Sequence, residues 1–147
     1  RKQRSIVIMS YDIAIKAAQR NQFSLKVVIV DESHYLKNID AKRTRSLMPF
    51  IAQSKRTILL TGTATTSCPY ELLPQLKCLN FFMKDNAFIE RFCKLVVTKY
   101  SKSYKGHQNV EELHGLLSNT IMIRRKASII EKDLPSRSRY THYLNLD

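Results

Sequence analysis

Two adjacent acidic side chains follow a short apolar run and carry the clearest chemistry in the sequence. Asp31 and Glu32 come directly after Val27–Val30. In an open α/β sheet, ligands bind beyond the carboxyl ends of the strands, so a carboxylate pair at that point would meet a ligand. One carboxylate can hold Mg²⁺, and the next can polarise a water aimed at a nucleoside triphosphate. The simpler alternative is that one of these acids only caps the helix that follows.

A second polar cluster favours the ligand-binding interpretation over the capping one. Thr61, Gly62 and Thr63 follow another apolar run, residues 57–60. If both runs are strands of one sheet, the two hydroxyls lie near the carboxylates and can bond the acidic loop or a bound phosphate. The two clusters together therefore indicate a site at the carboxyl edge of a sheet.

The elements that must position these residues are predicted from hydrophobic periodicity. Three continuous apolar runs predict strands buried on both faces of a parallel sheet: Ile6–Met9, Val27–Val30 and Thr57–Leu60. The segments between them predict crossover helices, one capped by Asp12 and one over residues 41–51, which together give right-handed βαβ units. Pro49 predicts a kink or a break in the second helix. The expected fold class is therefore α/β, with a parallel sheet flanked by helices.

The carboxyl-side segment is expected to be mainly helical. Apolar spacing predicts helices over residues 70–79, 85–97 and 109–120, and Asn109 with Glu112 forms a candidate capping box. The polar, basic stretch 99–107 predicts a mobile loop, and residues 140–146 predict a strand or an extended linker.

Charge favours a polyanion as the partner. The 147 residues include 25 Lys and Arg against 12 Asp and Glu, a net charge of +13. Each phosphate that a basic side chain neutralises releases counterions, which drives association with nucleic acid. A merely solubilising surface is the alternative that charge alone leaves open.

Composition bounds the class of protein. An apolar fraction of 44% suits one domain or a piece of a larger one, and the lack of an initiating Met leads us to expect a piece. No run approaches the roughly 18 apolar residues of a membrane span, so insertion into a membrane is not expected. Cys68, Cys78 and Cys93 are odd in number and lack C-x-x-C spacing, so we expect reduced intracellular thiols.

Several segments resemble Swi/Snf-type DNA-translocating ATPases of helicase superfamily two. Residues 27–38, VVIVDESHYLKN, resemble the Walker B motif with its trailing Lys-Asn, and residues 57–63, TILLTGT, resemble motif III. Residues 5–12, SIVIMSYD, resemble the strand before both, and 109–125 with Leu134–Pro135 are similar to the segment that closes the first RecA-like lobe. Within this family the sequence is most similar to the annealing-helicase branch, in its zinc-finger Ran-binding-domain-containing type.

The resemblance implies an organisation and an activity. Residues 1–68 would form part of the first RecA-like lobe, 69–135 a helical segment closing it, and 136–147 the start of the inter-lobe linker. The implied activity is ATP-dependent translocation that rewinds or remodels branched DNA, such as stalled replication forks, in the nucleus. ATP and Mg²⁺ would be the cofactors, and double-stranded or forked DNA the partner.

The resemblance also implies a role for each matching residue. Asp31 would organise Mg²⁺, Glu32 would be the general base, and both would bind the nucleotide together with His34, which relays its state to motif III. Thr61, Gly62 and Thr63 would couple ATP hydrolysis to DNA. The residues that would contact DNA are Lys37, Asn38, Arg124 and Arg125. Three plainer alternatives stay open: a structural histidine, a solvated lysine, and an arginine pair that only ends a basic helix.

The sequence departs from the family pattern at three places, and the first two bear on coupling. Ala64 stands where the family usually has Pro, and Cys68 stands where the family has a polar or basic residue. Lys126–Ala127 stands where the family generally has Leu-Lys. Losing the Pro frees one backbone dihedral, so the loop that holds Thr63 is expected to be less preorganised.

The phosphate-binding loop of such ATPases is absent from the sequence. The glycines Gly62, Gly106 and Gly115 are never followed by Lys, so no G-x-x-x-x-G-K-[ST] motif occurs. Without this cradle and a second lobe carrying an arginine finger, the chain alone is expected not to hydrolyse ATP. The alternatives are a non-catalytic module that binds DNA or chromatin, and an RNA helicase of the same superfamily, which would carry Ala or Cys at Ser33.

Overall fold

The computed structural model describes residues 5–20, 25–65, 67–99, 102–125 and 138–143. The chain divides into two compact units, Arg1–Val110 and Glu111–Asp147. The described elements are α1 (Tyr11–Gln19), β1 (Val27–Val30), a 3-10 helix (Ser33–Leu36), α2 (Lys42–Ala52), β2 (Arg56–Leu59), a second 3-10 helix (Pro69–Leu72), α3 (Leu73–Cys78), α4 (Asp85–Phe92), β3 (Cys93–Val97), β4 (Lys102–His107) and α5 (Val110–Thr120).

Strands β1 and β2 pair in parallel, with Val27 opposite Arg56 and Val30 opposite Leu59. The predicted α/β class, with a parallel sheet and flanking helices, is confirmed and agrees with a partial RecA-like lobe. The predicted strand at Ile6–Met9 is wrong, because residues 5–10 have no regular structure and Ile6 is 94% exposed. A strand needs a neighbour for its backbone hydrogen bonds, and no described segment pairs with this one.

The sheet is covered on one face. Val30 is buried there in a cluster with Leu36, Leu47, Ile51 and Cys78, and Val28, Leu59 and side chains of α1 pack against it. The opposite face is exposed to solvent: the exposed fraction is 48% for Val27, 62% for Ile29 and 47% for Ile58. The prediction of burial on both faces is therefore wrong for the described residues, since α1 and α2 both pack on the same side.

Two details of the helices differ from expectation. The N-cap of α1 is Ser10, whose Oγ accepts a hydrogen bond from the Ile13 N–H at 3.4 Å, while Asp12 lies in the first turn. An acidic residue in the first turn still stabilises the helix, because its negative charge lies near the positive end of the helix dipole. Helix α2 is continuous through Pro49. Pro removes only one backbone N–H from the helix, and packing of the buried Leu47 and Ile51 against the core stabilises it.

The segment after α4 contains two antiparallel strands. The predicted helix over 85–97 ends at Phe92, and the predicted loop over 99–107 contains β4, which pairs antiparallel with β3. The β-branched Val96 and Val97 favour an extended backbone over a helical one. Gly106 permits the close pairing, because a Cβ there would lie 2.8 Å from the Cβ of Lys94.

The backbone at Asn109, just before α5, differs from the usual geometry of an N-cap. Asn109 has a left-handed backbone with φ of 50°, unlike the extended backbone of an N-cap, and its amide donates to the Arg91 carbonyl at 2.8 Å. Within the second unit, Leu113 and Leu117 of α5 are buried. Residues 138–143 have no regular structure, so they contain no part of the predicted strand, and Leu134–Pro135 and 144–146 lie outside the described residues. Among the helices described here, none is long and apolar enough to cross a membrane.

All three cysteines are free and buried. Burial raises the pKa of Cys78 to about 12. It raises that of Cys93 to about 11, with a smaller contribution from Cys68.

Candidate functional site

The acidic pair lies at the carboxyl end of β1. Asp31 and Glu32 directly follow Val30 and are exposed, and Asp31 Oδ1 accepts a hydrogen bond from the Glu32 N–H at 2.9 Å. Glu32 precedes the first 3-10 helix, yet its side chain makes no capping hydrogen bond. The geometry therefore does not support the alternative in which Glu32 only caps a helix.

Glu32 has a left-handed backbone, with φ and ψ both 49°. This conformation costs a residue other than glycine about 1–3 kcal/mol and persists only where neighbours hold it. Here the Tyr11 hydroxyl donates to the carbonyls of Asp31, at 2.7 Å, and Glu32, at 3.2 Å. Burial raises the pKa of Tyr11 to about 12, although Arg43 opposes the shift, so the hydroxyl stays protonated. Tyr11 thus fixes the backbone of the acidic pair, a role that the sequence did not predict.

The ends of the two parallel strands are joined by backbone hydrogen bonds. The Leu60 N–H donates to the Val30 carbonyl, and the Ser33 N–H donates to the Leu60 carbonyl, both at 2.9 Å. These bonds place the loop after β1 beside the loop after β2.

His34 connects the acidic pair to the second loop. Its Nδ1 lies 3.1 Å from Glu32 Oε2 and 3.2 Å from Thr61 Oγ1. The Thr61 hydroxyl donates to the Thr63 carbonyl at 3.0 Å, so its hydrogen is already used. His34 Nδ1 must then be the donor, and its one hydrogen is shared between a carboxylate and a hydroxyl.

The loop after β2 is held by its own residues at one end. Thr61 Oγ1 accepts the Thr63 N–H at 3.2 Å, which closes a tight turn around Gly62. Gly62 and Thr63 are exposed, and a Cβ placed on Gly62 would meet no atom within 4 Å. The fold of the described chain therefore does not require a glycine at position 62.

Two side chains that the sequence did not single out hold the rest of this loop. Gln75 of α3 donates to the Ala64 carbonyl at 2.7 Å and accepts from Ser33 Oγ at 3.0 Å. Glu71 Oε2 lies 3.0 Å from Thr65 Oγ1, and its Oε1 accepts from Ser67 Oγ at 2.7 Å. The available signal in the sequence was Gln75, a polar residue between the apolar residues 72–74 and Leu76.

The four residues expected to contact DNA lie in different settings. Lys37 Nζ is 3.9 Å from Glu71 Oε1, and Asn38 Oδ1 accepts from the Asp40 N–H at 2.9 Å just before α2. Arg124 and Arg125 are exposed residues of the second unit, beyond the end of α5 and in no regular structure. The structure thus brings Lys37 to Glu71, whose carboxylate also bonds the loop after β2, and gives Asn38 a local turn contact.

The donor set suits a hydrated magnesium ion. Over the described part of the chain there is no group of three or more His, Cys, Asp or Glu side chains placed to hold a metal. Mg²⁺ keeps several waters and binds through one or two carboxylates together with substrate phosphates, so a full protein cage is not needed. The exposed carboxylate of Asp31 fits this requirement, with Glu32 beside it.

Comparison with known proteins gives consistent matches over most of the chain. The family model described as SNF2-related domain matches residues 1–147. The chain is 37% identical over 136 residues to "SWI/SNF-related matrix-associated actin-dependent regulator of chromatin subfamily A-like protein 1" of Xenopus laevis, covering 91% of this chain and 14% of that protein. It is 39% identical over 125 residues to "DNA annealing helicase and endonuclease ZRANB3" of Homo sapiens, covering 81% of this chain and 12% of that protein. The chain therefore spans only 12–14% of the length of these curated relatives.

Proposed function

The chain belongs to the SNF2-related domain family, and from this we propose that it forms the carboxyl-side part of the first RecA-like lobe of an ATP-dependent DNA translocase. Residues 1–68 contribute the sheet and its site, residues 69–135 close the lobe, and residues 136–147 begin the inter-lobe linker. The parallel pairing of β1 with β2 and the α1 and α2 packing on one face support this assignment.

The observation that carries the proposal is the Glu32–His34–Thr61 bridge at the carboxyl edge of the sheet. Bound Mg²⁺ and ATP would supply the polarised γ-phosphate, with Asp31 holding the ion. Glu32 would orient the attacking water and accept its proton. A protonated Glu32 is a weaker acceptor, so the shared hydrogen of His34 would then move toward Thr61. Hydrolysis at one loop would in this way change the hydrogen bonding of the other.

The second loop would pass this change to DNA. Thr61, Gly62 and Thr63 would couple the nucleotide state to the DNA track, while Lys37 and Asn38 would lie near its phosphates. Arg124 and Arg125 would contact DNA or brace the two lobes. The net charge of +13 supports a grip on backbone phosphates without base readout.

The names of the relatives support a narrower function. The human relative is named a DNA annealing helicase, and the Xenopus one a chromatin regulator. We extend these to this protein as rewinding or remodelling of branched DNA, with double-stranded or forked DNA as the partner and the nucleus as the location. The 147-residue chain by itself lacks a phosphate-cradling glycine loop, so hydrolysis would require the complete protein.

The test is DNA-stimulated ATP hydrolysis by the full-length protein and its Glu32→Gln variant. Removing the general base is expected to lower the stimulated rate by roughly 10²- to 10⁴-fold, because the amide cannot accept the proton. Glu90→Gln, which changes an exposed acid of α4, is the matched control and should keep the wild-type rate.

Two outcomes would contradict this function. Equal background rates for wild type and Glu32→Gln would indicate a non-catalytic module that binds DNA or chromatin. Stimulation by RNA in preference to DNA would indicate an RNA helicase.

A further inference from the structure

A single buried amide lies between the two loops of the candidate site. Gln75 is 5% exposed, and its neighbours in α3 include Leu73, Leu76 and Cys78, which are buried apolar residues. A buried amide is costly unless both its ends are hydrogen bonded, so its partners determine whether it is tolerated.

Both ends of the Gln75 amide are bonded, and each end serves a different loop. Its Oε1 accepts from Ser33 Oγ at 3.0 Å, directly after the acidic pair, and Ser33 is 0% exposed. Its Nε2 donates to the Ala64 carbonyl at 2.7 Å, directly after Thr63. Because an amide group is planar and rigid, these two bonds form a direct side-chain link between Ser33, in the loop after β1, and Ala64, in the loop after β2.

The contact falls in a part of the second loop that has no helix or strand. Ala64 stands where the family resemblance implies a proline, and its own φ is not restricted by a ring. The Ala64 carbonyl accepts a hydrogen bond from Gln75, and Thr65 and Ser67 are held by Glu71 of the 3-10 helix that follows the loop, Pro69–Leu72. The side chains of Glu71 and Gln75 thus restrain this loop.

We propose that Gln75 is a positioning residue that couples the acidic pair to the Thr61–Thr63 loop. This inference rests on the proposed function, since it concerns how ATP hydrolysis is linked to DNA. Gln75 does not touch the reacting groups and acts through Ser33 and Ala64. Its loss should therefore lower the DNA-stimulated rate while leaving unstimulated hydrolysis and nucleotide binding largely intact.

The experiment compares the full-length protein with Gln75→Leu, which keeps the approximate side-chain size and removes both hydrogen bonds. The DNA-stimulated kcat is expected to fall by on the order of 10-fold, since small misplacements of catalytic groups cost up to about 10²-fold. The unstimulated rate, the KM for ATP and the affinity for DNA should stay within about twofold, and the melting temperature should show a folded protein. Gln108→Leu is the matched control, because it removes one glutamine bond to a backbone carbonyl, that of Glu90, outside these loops.

A second variant keeps the test decisive if Gln75→Leu does not fold. Ser33→Ala removes only the hydroxyl that bonds Gln75 Oε1 and is expected to lower the stimulated kcat in the same selective way. If both variants fold, the double variant should be no worse than Gln75→Leu alone, because the two residues act as one unit.

Three results would overturn the inference. They are a wild-type stimulated rate in folded Gln75→Leu, a proportional loss of stimulated and unstimulated rates, and an unchanged stimulated rate in Ser33→Ala. Absence of DNA-stimulated hydrolysis in the wild type would instead refute the proposed function, so the two failures are distinguishable.

Discussion

The two faces of the β1–β2 sheet carry similar residues in opposite environments. Val30 is 8% exposed and packs in the core cluster, whereas Val27 of the same strand is 48% exposed and Ile29 is 62% exposed. Continuous apolar strands are typical of sheets covered on both sides. The loops at the carboxyl edge are nevertheless joined by hydrogen bonds among the described residues. The two loops of the candidate site are therefore held together even though one face of the sheet is exposed.

The largest expected difference between the faces comes from truncating a core side chain. Leu36 is 0% exposed, so Leu36→Ala should lower the free energy of unfolding by about 3 kcal/mol through lost burial and a cavity. Ile29→Ala removes a side chain that is mostly in water already and should cost less than about 1 kcal/mol. Urea denaturation followed by circular dichroism measures both, and equal costs would show that the second face is covered.

A matched pair of valines sharpens the same comparison. Val30→Thr places a hydroxyl in the core cluster and should cost about 1–3 kcal/mol, because the polar group is buried. Val27→Thr makes the same change on the exposed face and should alter stability by less than about 0.5 kcal/mol. Denaturant midpoints of the two variants give the result, and a reversed order would contradict the burial of these faces.

The covered face also predicts a pH dependence. Burial raises the pKa of Cys78 from 9.0 to about 12, so the folded state disfavours the thiolate. Below pH 9 the thiol is neutral in both states and the full stability is present, and between about pH 9 and 12 only the unfolded state loses the proton. Stability should fall there by about 1.4 kcal/mol per pH unit from this group. Cys78→Ala should show a shallower fall over pH 9–11, and an identical slope would contradict the prediction.

The smallest effect on stability is expected at Gly62 in the loop after β2, which belongs to neither face of the sheet. Gly62→Ala should leave the melting temperature unchanged, because no atom lies within 4 Å of the added methyl group. Gly106→Ala in β4 is the contrasting variant and should lower stability, since its Cβ would lie 2.8 Å from the Cβ of Lys94. Thermal unfolding compares the two, and a large loss for Gly62→Ala would show that the loop needs its glycine for folding.

Prediction from the sequence succeeded where the signal is local. The apolar runs identified β1 and β2, and the residues after each run identified the loops that meet at the sheet edge. The family resemblance, which rests on the same short segments, is confirmed by the SNF2-related domain match. Prediction failed for residues 6–9, Cys93–Val97 and Lys102–His107, where pairing with another segment, or its absence, decides whether an extended stretch becomes a strand.

The sequence by itself determined which residues follow each strand, because strand-forming runs and the polar residues that end them are adjacent in the chain. The tertiary structure alone decided that Tyr11 bonds the backbone of Asp31 and that Gln75 bonds Ser33, across 20 and 42 residues of sequence. It also decided which face of the sheet is covered. A hydrogen bond needs its two atoms within about 3.5 Å, and helix packing, which periodicity does not encode, brings such distant residues together.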